Sequence, residues 1–259
     1  VSTARSRPAS IRARRTTLVA AFIAAFVAAA LAASPARAYR PFDQTDADVA
    51  EPRTIELEIG PVGYTHDASG DTFTPSFVFN YGVVSRLELV FDTHHAVIWG
   101  GADLARRRRA LETALLAKVV VREGSLQGGV GPSVAFEGGA LLPTIPAAGD
   151  LGAALTAIAS QRWPALTLHV DLEGDRTRAG TFAFIGGAIV EGPNAWTVRP
   201  VAETFVARDG DGPTTVSGLA GAIWRASAHV AFDAAGRVAR QADANVYELR
   251  AGLTWDFGI

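Results

Sequence analysis

The chain has 259 residues, no cysteine and a formal net charge of −2. Without cysteine there is no disulfide framework and no thiolate metal site, and the acidic balance argues against nucleic acid as a partner, because phosphate binding calls for a clustered excess of Lys and Arg. After residue 38 no apolar run reaches the about 20 residues of a spanning helix, so in a membrane this chain has to be a closed barrel, the other way to satisfy backbone groups in hydrocarbon.

In chain order, Arg5, Arg7, Arg12, Arg14 and Arg15 precede an unbroken small and apolar run from Leu18 to Ala33, followed by Ser34, Pro35 and Ala36-Arg37-Ala38. This is the three-part organisation of a secretory signal peptide over 1–38, with cleavage expected after Ala38 and general secretion as the route. The competing reading, a membrane anchor, fits less well, since the run is short, rich in Ala and ends in a cleavage-type triplet. Removing 1–38 takes away six arginines and no acid, so the charge falls from −2 to −8. Residues 39–53 carry Pro and Asp without periodicity and are expected to form a periplasmic lead-in to a barrel spanning 54–259.

From there the period is two. Ile55, Leu57 and Ile59 alternate with Glu56 and Glu58. Phe73, Phe77, Phe79 and Tyr81 alternate with polar residues, a turn is expected at Asn80-Tyr81-Gly82 and Ser85, and Leu87, Leu89 and Phe91 alternate with Arg86, Glu88 and Asp92. Residues 110–123 and 132–142 are weaker candidates. Leu166, Leu168, Val170 and Leu172 against Thr167, His169, Asp171 and Glu173 form the cleanest strand of the middle region. Residues 181–191, 196–206, 214–225 and 228–233 follow, with bulges or edges expected at Pro75 and Pro200, and Gly186-Gly187 marking a bend or a close backbone approach. The final strand sets Tyr247, Leu249, Ala251, Leu253, Trp255, Phe257 and Ile259 on one face and Glu248, Arg250, Thr254 and Asp256 on the other, a pattern that suits lipid on one side and water on the other. These are eleven strands, whereas a bacterial barrel normally has an even number. The expected fold is therefore an all-β, antiparallel transmembrane β-barrel of 10 or 12 strands. Its long connections, 96–109 and 143–162, are expected to face outward from the cell.

Several short motifs carry a resemblance. Arg40-Pro41-Phe42, Thr45-Asp46, Glu56-Leu57-Glu58, Gly63-Tyr64 and Asn80-Tyr81-Gly82, then Gly131-Pro132, Phe136-Glu137, Leu142-Pro143-Thr144, Arg199-Pro200, Glu203 and the closing Leu253 to Phe257 resemble the outer-membrane barrel family associated with meta-pathway phenol degradation. The resemblance implies a barrel of transporter or channel type for small hydrophobic or aromatic compounds. It brings no catalytic residues and no cofactor.

The residues expected to line the lumen, and to set which solute passes, are Glu56, Glu58, Arg86, Glu88, Asp92, His94, Lys118, Glu137, His169, Asp171, Glu173, Arg199 and Glu203. Buried in a low-dielectric shell, such charges must pair or meet water. The same set is equally compatible with a plug of ion pairs that holds a narrow barrel shut. Arg106, Arg107, Arg108 and Arg109 form a run suited to lipopolysaccharide phosphates, or to a plain solvated loop. Ser–His chemistry among His94, His169 or His229 and Ser76, Ser133 or Ser227 is singled out by no spacing, and no metal site is expected. Three classes of function stand: an outer-membrane channel for small solutes, a closed structural barrel acting through its loops, and a secreted soluble barrel with an apolar interior. Outer-membrane lipid and the barrel-insertion machinery are the expected partners. Clustering of Trp99, Trp163, Trp196, Trp224 and Trp255 at one or two levels would favour the membrane.

Overall fold

The computed structural model describes residues 41–67, 70–99, 108–145 and 149–259. The stretch read as a signal peptide, 1–38, and Arg106 and Arg107 lie outside the described residues, and the side chains of Arg108 and Arg109 are likewise not described.

Twelve antiparallel strands close into a barrel. They are β1 (Thr54–Asp67), β2 in two halves (Gly70–Thr74 and Ser76–Val84), β3 (Leu87–Trp99), β4 (Arg108–Arg122), β5 (Ser133–Ile145), β6 (Gly152–Arg162), β7 (Thr167–Arg176), β8 (Phe182–Glu191), β9 (Val198–Asp209), β10 (Thr214–Arg225), β11 (Val230–Gln241) and β12 (Ala244–Gly258). Each pairs with its neighbours in sequence, and β1 closes the ring on β12 from Thr54↔Gly258 to His66↔Tyr247. The ladder between β1 and β12 shifts between Ile59 and Val62, at Gly60-Pro61. Pro75 interrupts β2 beside it, as a residue without an N–H should. Where β4 and β5 slip between Leu111 and Thr113, the guanidinium of Arg178 donates to the carbonyls of Thr113 and Leu142.

The strand missing from the sequence reading is β6. It occupies most of the connection assigned to 143–162, and its alternation is muted because Ala153, Ala154, Ala157 and Ala159 are small and its fully buried inward residue Ile158 is apolar. Two further corrections are local. Asn80, Tyr81 and Gly82 belong to β2, the turn being Ser85-Arg86, and the strand expected at 228–233 runs on to Gln241.

The polarity is inside out. Glu248, Arg250, Thr254 and Asp256 of β12 are buried, whereas Leu249 between them is 67% exposed. Phe182, Phe184, Leu172 and Val206 are exposed in the same way. This distribution contradicts the soluble barrel, which needs apolar residues within and charges without. Trp163, Trp196 and Trp224 are about half exposed and lie, with Trp255, at the end of the barrel that carries Thr54 and Gly258, here called the near end. Tyr64, Tyr247 and Phe182 are exposed toward the far end. Two aromatic levels on an apolar wall are the pattern of a membrane-interface girdle.

The segment expected as a periplasmic lead-in is placed differently. Over 41–50 it lies inside the barrel, where Phe42 packs on Ile189, Val201, Leu219 and Ile223, and Ala47 and Val49 pack with Val120, Leu126, Ala135 and Ile158, whereas Glu51, Pro52 and Arg53 are exposed at the turn into β1. These inward apolar residues are landing sites for the segment. They also account for the weak alternation of 110–123 and 132–142, since Val120 and Ala135 face in although they are apolar.

Candidate functional site

The lumen is shaped by what holds the segment. Its backbone runs through bends and forms no ladder, so its N–H groups are met by side chains: Asp46 and Asp48 of the segment accept from Asp48 and Val49, and the wall supplies the other acceptors. Glu203 accepts from the N–H of Asp43 at 3.1 Å and of Gln44 at 2.9 Å, Asp171 from Thr45 at 3.1 Å, Ser160 from Ala47 at 3.0 Å and Glu88 from Ala50 at 2.5 Å. On the donor side, the Arg250 guanidinium reaches the Pro41 carbonyl at 2.9 Å and the Asp43 carboxylate at 2.8 Å. Gln127, in a 3-10 turn between β4 and β5 (Ser125–Gln127), donates to the Ala47 carbonyl at 2.8 Å and to Asp48 at 3.0 Å. From β12 and β9 the segment thus passes β7 and β6 to β3 and enters β1. Lumen-facing glycines make room for it: a Cβ on Gly82 would collide with the carbonyls of Ala50 and Glu51, and one on Gly187 with the Gln44 side chain and the Thr204 carbonyl.

Beside the segment a cavity of about 580 Å³ remains, bordered mainly by β1, β2, β3 and by one side of β4, β5, β7 and β12. Thirteen carboxylates line it, against two permanent cations, Lys118 and Arg250, and one histidine, His94. Both cations are engaged. Lys118, the single lysine, lies 3.4 Å from Glu137 and 3.7 Å from Glu88 and donates to the Thr45 hydroxyl at 2.8 Å. Arg250 holds Glu248 at 2.9 Å as well as Asp43, and Glu248 is shared with Arg237 at 2.6 Å. On β1, Glu56 and Glu58 accept from the same Asn80 amide, at 3.4 and 2.9 Å. In the segment itself, burial and the neighbouring Asp48 carboxylate push the Asp46 carboxyl well above the usual range.

Of the thirteen residues expected in the lumen, Glu56, Glu58, Glu88, Asp92, His94, Lys118, Glu137, Asp171 and Glu173 line this cavity together. Glu203 is buried under the segment, and His169 and Arg199 meet on Glu191, at 3.8 and 3.1 Å, toward the near end. Arg86 does not face the lumen. It sits in the β2–β3 turn, more than half exposed, and holds Glu123 at 2.8 Å. The alternation that pointed it inward stops where the turn begins.

The sequence reading passed over Asp43, Asp46, Asp48, Glu248, Arg250 and Asp256 as site residues. The polar face of the last strand was a signal for the final three. The acids of 39–53 had no periodicity to place them. One Ser–His contact is also new, Ser160 with His169 at 2.8 Å. Both are fully buried, Ser160 is already bonded to the Ala47 N–H, and neither borders the cavity, so a substrate has no approach to that hydroxyl.

No protein-family model and no curated protein sequence matches this chain. Among solved structures it is similar to the COG4313 outer membrane channel from Pseudomonas putida F1, with a TM-score of 0.62, 9% identity, and 84% of this chain and 100% of that one covered. It is also similar to the KdgM porin, with a TM-score of 0.53, 7% identity and 77% and 98% coverage. At these identities the likeness is one of fold, the fold of outer-membrane β-barrel channels.

Proposed function

We propose that this chain is an outer-membrane channel for passive passage of small organic solutes, with the segment 41–53 as its constriction. One observation carries the reading. A closed barrel with its apolar residues outward and its charges inward keeps a cavity of about 580 Å³, and that space is within the range of small-ligand sites. Phe42, Val49, Val78, Val90 and Leu116 add apolar patches to its lining, which supports a cargo with a hydrocarbon body. A solved form of the KdgM porin holds oligogalacturonate, a polycarboxylate. Thirteen carboxylates make the present lumen unsuited to such a cargo. Lipid around the wall, lipopolysaccharide at the outer rim and the barrel-insertion machinery are the partners this reading entails, with the near end periplasmic.

The closed barrel remains the second reading, favoured by the density of hydrogen bonds that seat 41–53 across the lumen. Planar-bilayer conductance of the refolded chain separates the two. The channel shows stepwise, cation-preferring openings, and the Glu56→Gln, Glu58→Gln double variant lowers that preference. A stably inserted protein that never conducts is the closed barrel.

A further inference from the structure

The acidic excess of the cavity is accompanied by a buried acceptor that no described residue satisfies. Asp171 on β7 is 1% exposed and lines the cavity. Its Oδ2 accepts the N–H of Thr45, which fixes the carboxylate under the segment, while its Oδ1 has no hydrogen-bond partner among the described residues. A buried carboxylate oxygen without a donor is costly, and the cost is relieved by a donor that arrives with a positive charge. Lys118 and Arg250 are engaged with Glu88, Glu137, Glu248 and Asp43, and neither donates to this oxygen. Glu173, Val49 and Leu116 line the same cavity as Asp171.

We infer that the cavity is a binding site for an organic cation, a primary ammonium group on a hydrocarbon body, with the Asp171 carboxylate as its anchor. The ammonium supplies three donors to the carboxylates that line the cavity, and the hydrocarbon part covers the apolar patches. The inference rests on the same lumen as the channel reading and deepens it by naming the solute class. Binding does not, however, require passage.

The test uses benzylammonium and its neutral near-isostere benzyl alcohol, titrated calorimetrically against the folded chain in a non-ionic detergent. The ammonium is expected to bind at least about tenfold more tightly than the alcohol, the ratio a charge-assisted hydrogen bond confers. Asp171→Asn is expected to abolish that ratio. Equal affinities, or a ratio unchanged in Asp171→Asn, overturn the inference. Should Asp171→Asn fail to fold, Glu173→Gln, lining the same cavity, takes its place and must reduce the ratio. Conductance recorded on the same preparation keeps the two ideas apart. Ammonium binding without conductance sustains the site and removes the channel, and conductance without ammonium preference does the reverse.

Discussion

At the scale of single residues, the lumen is governed by what happens to a charge that leaves water. Lys118 is nearly buried between Glu88 and Glu137, and removing it leaves both carboxylates facing each other without the ammonium. Lys118→Met is expected to destabilise the barrel by about 3 kcal/mol, the cost of breaking a buried ion pair by deleting one partner. Urea titration of the folded protein in lipid measures this, and adding Glu88→Gln and Glu137→Gln to the same chain should restore most of the loss. A Lys118→Met midpoint within error of wild type would show that cavity water solvates the pair. Arg86 and Glu123 show the opposite limit. Their bond lies at the exposed near end between two turns, and although it holds the Glu123 carboxyl below its usual range, it contributes little.

At the scale of elements, the segment 41–53 is the part with two options, seated or withdrawn, because side chains of the wall and not a ladder hold most of its backbone. Gly82→Ala inserts a methyl where the Ala50 and Glu51 carbonyls lie. Its expected effect is loss of hydrogen-exchange protection over residues 42–50 with the strands unaffected, and larger conductance steps. Protection equal to wild type would mean that the segment adjusts in place. The seat is also expected to respond to pH. Burial and Asp48 raise the Asp46 carboxyl in the seated state, so the ionised form is disfavoured there. Seating is therefore strengthened as pH falls through the raised value and weakened above it. Exchange of the segment amides, after correction for intrinsic rates, should be slower at about pH 5 than at about pH 8, and Asp46→Asn should flatten the difference.

At the scale of the whole molecule, the apolar outer wall and its aromatic ends determine where the protein can reside. Trp163, Trp196, Trp224 and Trp255 lie toward one end, which predicts that lipids brominated near the headgroup quench the tryptophan fluorescence more than lipids brominated at the chain terminus. Deeper quenching by the terminal label would remove the girdle. Closure of β1 on β12 leaves no unpaired strand among the described residues of the wall, so stability depends on the ring being complete and the outer surface being wetted by lipid or detergent.

The sequence by itself determined the wall. A period of two survives in the chain wherever one face meets lipid and the other meets charge, as in β1, β7 and β12, because the contrast is carried by neighbouring residues and needs no knowledge of a partner. From it came the barrel, the inward direction of Glu56, Glu58, Lys118, Asp171 and Glu203, and a strand count limited to ten or twelve. Only the tertiary structure decided what fills the lumen. Ile158, Val120 and Ala135 face inward although apolar, since Ala47 and Val49 cover them, and this masked β6 and dimmed its neighbours. Gln127, Arg250 and Asp171 meet 41–53 across separations of more than 75 residues. Contacts between an irregular segment and a distant wall have no period, and only closure of the ring brings them together.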